Sequence, residues 1–441
     1  MTPEARIEQW FREILVQLAP RRLASRAASF QDESYKPSGT ASAGCERPVI
    51  GADGGELLPV AIGKAAIAMA EGAQDLFGDQ FERGFVLTVD GPDASGLDER
   101  WTVFRAGHPI PDQRGIEATR AIVRAVEQLK PDDMVVALIS GGGSALFEAP
   151  VDPLTLEDFA ELTRLLLGAG APIQHLNTVR IPLSQVKGGA FRRRSPAGRF
   201  VTLILSDVLG NDVHIIASGP TVEPTVTGAA ALAVLDLYGL RESVSPRIRS
   251  ALNEAAATTT EWDFPGDEVE VVGDVTLAIE LARRASLSSG APTAVVGELL
   301  DGEAAEEARA WVATLLATPA GTAVVWGGGE TTVTVRGSGV GGRNTEFALA
   351  AALELDRLEN DEWVVASLAT DGQDGFSGSA GAIASRRTIR DARALGIDPA
   401  AALSENDSAT FFARVGGLVI TGPSGTNVND LYVGVRRSFF Q

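Results

Sequence analysis

Several short polar segments of this chain place glycine, lysine, arginine or aspartate directly after an apolar run, and each suits the handling of a small anion. In Ser140-Gly141-Gly142-Gly143-Ser144 three glycines follow the run Met134–Ile139. Lacking a Cβ, glycine lets backbone N–H groups turn toward an anion, so this loop is a candidate cradle for phosphate or carboxylate. Lys64, in Gly63-Lys64-Ala65, is the only charge between Leu57 and Ala70. A positive charge where a strand gives way to a helix adds to the anion preference of a helix N-terminus. The segment is not a G-x-x-x-x-G-K-[ST] loop, because the upstream glycine and the hydroxyl residue after the lysine are missing.

Asp207, in Leu205-Ser206-Asp207-Val208, could act as a general base or hold a metal through water, or simply cap a turn. Asn177, Arg180, Ser184 and Lys187 recur at helical spacings of three and four, which would give one polar, basic face. Pro182 would start or kink a helix in the middle of that run. Gly337, Gly339 and Gly342 form a G-x-G-x-x-G pattern, followed at once by Arg343. A planar fork of donors there favours an anion grip over a dinucleotide fingerprint. Asp371 and Asp374 have glycine between them and could share Mg²⁺, contact hydroxyls, or cap a turn. Gly422 to Asp430 is one more polar loop after an apolar run.

The elements that must position these residues follow from the alternation of apolar runs and helical periods. Strands are expected at Leu58–Ile62, Gly84–Thr88, Met134–Ile139 and Phe200–Ser206, and helices at Lys64–Phe77, Gly115–Leu129, Leu156–Leu167 and Ala229–Tyr238. That order predicts an α/β fold with a doubly wound parallel sheet. Near residue 240 the pattern changes, which sets an expected domain boundary there. Beyond it, strands are expected at Val269–Gly273, Thr293–Val296, Ala323–Trp326, Thr331–Arg336, Trp363–Leu368 and Val415–Thr421, with a helix at Phe347–Leu355. The alternating run Thr331–Arg336 suggests a mixed second sheet. Met1–Arg26 reads as an amphipathic helix and Gln31–Glu56 as a polar loop. Every chemical candidate sits where a strand ends, the edge at which α/β folds gather ligands.

Composition narrows the function. The 441 residues carry a net charge of −20, which argues against nucleic-acid partners. One cysteine, Cys45, gives neither an internal disulfide nor a thiolate metal site, and three histidines argue against a histidine-rich zinc site. No apolar run reaches the ~20 residues of a membrane span, and no signal-peptide core opens the chain, so a cytoplasmic enzyme is expected.

Read together, the motifs resemble the class II glycerate 2-kinases, the family whose C-terminal part is called the MOFRL domain. The likeness rests on Gly63-Lys64-Ala65, Gly107-His108-Pro109-Ile110-Pro111-Asp112, Ser140–Ala145, Asn177–Arg180 with Lys187-Gly188-Gly189, and Ser206-Asp207-Val208. It continues through Ala217–Thr221, Gly328–Thr331, Gly342–Glu346, Thr370-Asp371-Gly372 and Gly425–Asp430, in the family's order. The resemblance implies ATP-dependent phosphorylation of D-glycerate at its 2-hydroxyl, giving 2-phosphoglycerate and ADP, with Mg²⁺ or a similar divalent cation. It also implies a Rossmann-like domain over 1–240, a smaller α/β domain over 241–441, and an active site in the cleft between them. Lys64, Asp207 and Arg343 match its catalytic positions. Ser140 to Ser144, Asn177, Arg180 and Lys187 are expected at the substrate. Gly328, Gly329, Glu330, Gly341, Gly342 and Asn344 are expected at the nucleotide, and Asp371 with Asp374 at the metal. D-glycerate and ATP are the expected partners, and a homodimer is the expected assembly. Pro182 and the segment Asp207–His214 depart from the family's usual form. Two rival readings are an NAD(P)H-dependent hydroxypyruvate reductase, supported by Gly337–Gly342, and a sugar-acid-binding module that turns nothing over.

Overall fold

The computed structural model describes residues 1–27, 55–258 and 261–440. Cys45 and all but the last two residues of the polar stretch Gln31–Glu56 lie outside them. Within the described residues the chain forms two compact units, one of 20–205 and 211–272, the other of 1–19, 206–210 and 273–441.

The N-terminal unit holds the sheet formed by β1 (Leu57–Ile62), β2 (Gly84–Val89), β3 (Trp101–Ala106), β4 (Met134–Ile139), β5 (Arg199–Leu205) and β6 (Glu268–Gly273). Its order is β3-β2-β1-β4-β5-β6, with parallel pairing from β3 through β5, the arrangement of a doubly wound Rossmann-like sheet. Every residue of β1 and β4 is buried, which is why both read as unbroken apolar runs rather than alternating ones. The unit runs past residue 240 for a physical reason. Helix Pro246–Ala257 buries Ile248 and Leu252 in the same apolar cluster as Leu232 and Leu235 of helix Gly228–Leu237.

The C-terminal unit holds a second six-stranded sheet, β7 (Thr293–Val295), β8 (Val324–Gly329), β9 (Trp363–Ala369), β10 (Gly381–Ser385), β11 (Leu418–Val419) and β12 (Asp430–Arg436). The order is β11-β10-β9-β12-β8-β7, and only β7 and β8 pair in parallel, so the sheet is mixed as expected. The amphipathic run Met1–Arg26 divides at Pro20 into helices Pro3–Gln17 and Pro20–Ala24. Trp10 of the first helix meets Trp326 and Phe440 edge-on, which ties that helix to this unit.

Two expectations for this sheet are corrected. Gly327, Gly328 and Gly329 lie inside β8 rather than after it. A Cβ at Gly327 would stand 2.8 Å from Trp311, and one at Gly328 would stand 2.5 Å from Val275, so close helix packing requires the glycines. Thr331–Arg336 forms no strand beyond one bridge at Thr332. Glu303 and Asn406 side chains take the N–H groups of Thr334 and Arg336 in place of a neighbouring strand.

Candidate active site

In the N-terminal unit the strand order reverses between β1 and β4, the switch point where open α/β sheets leave a crevice for ligands. Lys64 follows β1 there, and Ser140–Ser144 follows β4. The Lys64 N–H donates to Gly141 O at 2.9 Å, so lysine and glycine loop are joined. Ser140 is buried, and its hydroxyl accepts from Ala65 N at 3.1 Å and donates to Ile62 O at 3.3 Å. Ser140, expected at the substrate, stitches the two strand ends together. Gly142 has φ +83°, and a Cβ on it would stand 3.1 Å from the His108 ring and 3.2 Å from Lys64 Cγ. Exposed Lys64 and His108 therefore flank the loop. Partial burial, and then the Lys64 charge, hold the His108 pKa below its ordinary value.

A buried network supports this loop. Lys187 Nζ donates to Ser144 O at 2.6 Å and pairs with Glu148 at 3.3 Å, with these two side chains 3% and 1% exposed. Glu148 also accepts from Ser184 Oγ at 2.7 Å and Arg180 Nη2 at 3.3 Å. Burial lowers the Lys187 pKa against the attraction of Glu148. The polar helix face expected from Asn177 to Lys187 does not form. Helix Ile173–Arg180 stops before Pro182, and a single 3₁₀ turn follows. Lys187 thus buttresses the loop through Ser144, while Asn177 stays half-buried on the helix. Ser144 Oγ meets Ser218 Oγ at 3.0 Å. Ala217, Ser218 and Gly219 all have positive φ, a strained run held beside the glycine loop.

The second cluster belongs to the C-terminal unit. Arg343 opens helix Arg343–Arg357 and donates to Glu330 Oε1 at 2.8 Å and to both carboxylate oxygens of Asp430. Asn429 Nδ2 donates to Asp207 O at 2.8 Å and to Glu330 Oε2 at 3.0 Å. The Asn429 Oδ1 is buried with no partner among the described residues, and its backbone holds φ +64°. Burial raises the Glu330 pKa, Arg343 opposes this, and Asp430 and Asp207 add to it. Arg343 is raised by Asp430 and Glu330 against the effect of its own burial. The structure therefore brings Asp207, Glu330 and Arg343 together and adds Asn429 and Asp430. Neither of these two is among the expected site residues, although both stand in the polar loop Gly425–Asp430.

Residues 6–253 match a family model described as a domain of unknown function (DUF4147), and residues 323–430 match the MOFRL family. A D-glycerate 2-kinase of Thermotoga maritima is 40% identical over 386 residues, spanning 85% of this chain and 89% of its own. The chain belongs to the glycerate 2-kinase family. A Pyrococcus horikoshii glycerate 2-kinase is 35% identical over 394 residues, 86% of this chain and 87% of its own. The crystal structure of a Thermotoga maritima glycerate kinase matches with a TM-score of 0.87 at 34% identity, covering 98% of this chain and 99% of that one. Two Agrobacterium vitis relatives, 40% and 36% identical, carry a hydroxypyruvate reductase name.

Several residues expected at the nucleotide or metal make structural contacts in this member of the glycerate 2-kinase family. Gly328 and Gly329 sit in the sheet, where Cβ atoms would strike Val275 and the Leu300 backbone. Gly341 and Gly342 lie against Ser408 and Asp374. Asp374 accepts from the N–H groups of Asn344 and Thr345 at 2.8 Å each and from Thr345 Oγ1 at 2.8 Å. It therefore caps helix Arg343–Arg357, and Asn344 turns its side-chain oxygen inward to Ser367. The Asp371 carboxylate accepts from Gln373 N. Arg336 N, Gly337 N, Gly339 N and Val340 N are taken by Asn406, Glu405 and Asp407. Those donors of the G-x-G-x-x-G loop are thus not presented to a phosphate. Among the described residues no group of three or more His, Cys, Asp or Glu could hold a metal by itself.

Proposed function

We propose that this chain transfers the γ-phosphoryl group of ATP to the 2-hydroxyl of D-glycerate, giving 2-phosphoglycerate and ADP. The observation that carries the reading is the bridge made by Asn429, which ties the Asp207 backbone to the partly buried Glu330 carboxylate. A fixed aspartate beside a charged cluster suits phosphoryl transfer, which needs positioning and charge balance more than covalent help.

Asp207 orients the 2-hydroxyl and takes its proton. The hydroxyl oxygen bonds to the γ-phosphorus as the bond to the β–γ bridging oxygen breaks, and ADP departs. Lys64 balances charge on the anionic groups, with the Gly141–Ser144 loop as its scaffold. Arg343 locks Glu330 and Asp430 in place. Asp207 and Glu330 are the residues that fit Mg²⁺. The carboxylates of Asp207, Glu330 and Asp430 outnumber the guanidinium of Arg343, and Asp430 is closed off by that arginine. Mg²⁺ bound there would supply charge neutralisation at the phosphates, to which it is ordinarily held by one or two carboxylates. That both clusters serve one reaction, in a cytoplasmic and homodimeric enzyme, is part of the same proposal.

The reductase rival loses support because the N–H groups of Arg336, Gly337, Gly339 and Val340 already have partners within the chain. The test is ADP release by the full chain. It should require ATP, D-glycerate and a divalent cation together. Oxidation of NADH or NADPH by hydroxypyruvate without ATP would instead establish the reductase, and glycerate binding without ADP release the binding module.

A further inference from the structure

The N-terminal unit contains a cavity of about 570 Å³ whose lining includes Ser184, Lys187, Gly188, Arg193 and Trp262. That is the size of a small-molecule site. Val226, Pro224 and Ala255 make much of the remaining wall apolar. Arg193 is the informative residue. Its guanidinium gives one long hydrogen bond, 3.4 Å to Gly188 O, and makes no ion pair among the described residues. Burial holds its pKa below the ordinary arginine value. A half-desolvated guanidinium without a carboxylate is a fork waiting for a planar anion. Exposed Asp152, Glu223 and Glu254 also line the cavity and disfavour a polyanion such as a nucleoside triphosphate. Trp262 offers a flat apolar wall, fixed so close to Gly189 that a Cβ there would stand 2.6 Å from the ring.

We propose that this cavity binds a small aromatic monocarboxylate, with the carboxylate on Arg193 and the ring against Trp262, and that its occupancy acts on the glycine loop. The route is short. Lys187 Nζ holds Ser144 O, and Gly188 N donates to Ser218 O at 2.9 Å. Ser218 and Ser144 meet through their hydroxyls. Two cavity residues therefore grip the loop that carries Ser144.

The binding arm needs no turnover, so it stands or falls apart from the kinase reading, on which only the kinetic arm rests. Benzoate, phenylacetate and indole-3-acetate are titrated onto the full chain by saturation-transfer NMR, with benzyl alcohol as the uncharged control. At least one carboxylate should bind, should bind about tenfold more weakly to Arg193→Met, and should bind Lys64→Ala as well as the parent. Circular dichroism confirms that both variants are folded. A parent chain that binds none of the probes, or an affinity that survives Arg193→Met, would overturn the site. In the kinetic arm, the bound probe should change the KM for D-glycerate in the parent and not in Arg193→Met. An unchanged KM at saturating probe would overturn the coupling and leave the site.

Discussion

Arg343 grips Asp430 at two points, Nε to Oδ2 at 2.5 Å and Nη2 to Oδ1 at 3.1 Å, while its Nη1 reaches Glu330. Asp430 is fully buried at the start of β12 and Arg343 is 30% exposed at the start of its helix, so the pair pins a strand end to a helix end. Asp430→Ala would strand the guanidinium beside Glu330 alone. We expect a loss of about 2–3 kcal/mol in urea unfolding, below the 3–5 of a fully buried pair because Arg343 is partly solvated. Turnover should fall with it, since the arginine no longer holds Glu330 in place. Unchanged stability would mean that the pair contributes nothing net.

Lys64 is exposed, follows β1 at the switch point, and makes no ion pair among the described residues. Lys64→Ala should therefore leave the thermal midpoint unchanged and lower kcat by about 10²–10³, the scale for losing a preorganised electrostatic donor. Near-parent turnover would remove Lys64 from the mechanism.

Asp374 separates a capping role from a metal role. Asp374→Ala leaves the N–H groups of Asn344 and Thr345 unpaired at the start of a buried helix. The expected cost is about 1–2 kcal/mol in chemical denaturation, as for other lost N-caps. The concentration of Mg²⁺ giving half-maximal rate should stay where it was. A large shift in that concentration would restore Asp374 to the metal site.

His108 reports on Lys64. Burial and the lysine charge both disfavour its imidazolium, so it protonates below the ordinary 6.5 when folded. As pH falls the unfolded chain takes up this proton first. The contribution to stability is therefore complete above 6.5 and declines below it. Lys64→Ala removes the second cause, so the His108 ring resonances should titrate closer to 6.5 by NMR. A midpoint identical to the parent's would mean that the two side chains do not sense each other.

Much of the fold was legible because the chemistry of β1, β4 and β9 is simple. Fully buried strands must be continuous apolar runs, and these were read within a residue of their observed ends. β12 was missed. It opens on Asp430 and contains Arg436, both buried, and these charges are tolerated only because Arg343 and Glu362 answer them. Long-range partners of that kind leave no local pattern. The same limit governed the site. Lys64 and the glycine loop were visible from residue type and position. The capping role of Asp374, the turn of Lys187 toward Glu148, and the bridge built by Asn429 depend on neighbours tens of residues away or more. Arg343 stands out by its fork and Glu330 is expected at the nucleotide, yet no local pattern pairs them with each other or with Asp430.

The identity of the phosphorylated hydroxyl is the most direct test. The full chain is incubated with D-glycerate, ATP and Mg²⁺, and the product is passed to enolase with no phosphoglycerate mutase present. Phosphoenolpyruvate should form at once, because only 2-phosphoglycerate is dehydrated directly. A phosphorylated product that enolase leaves untouched until mutase is added would place the phosphate on the wrong oxygen and contradict the assignment of the 2-hydroxyl as the group that Asp207 deprotonates.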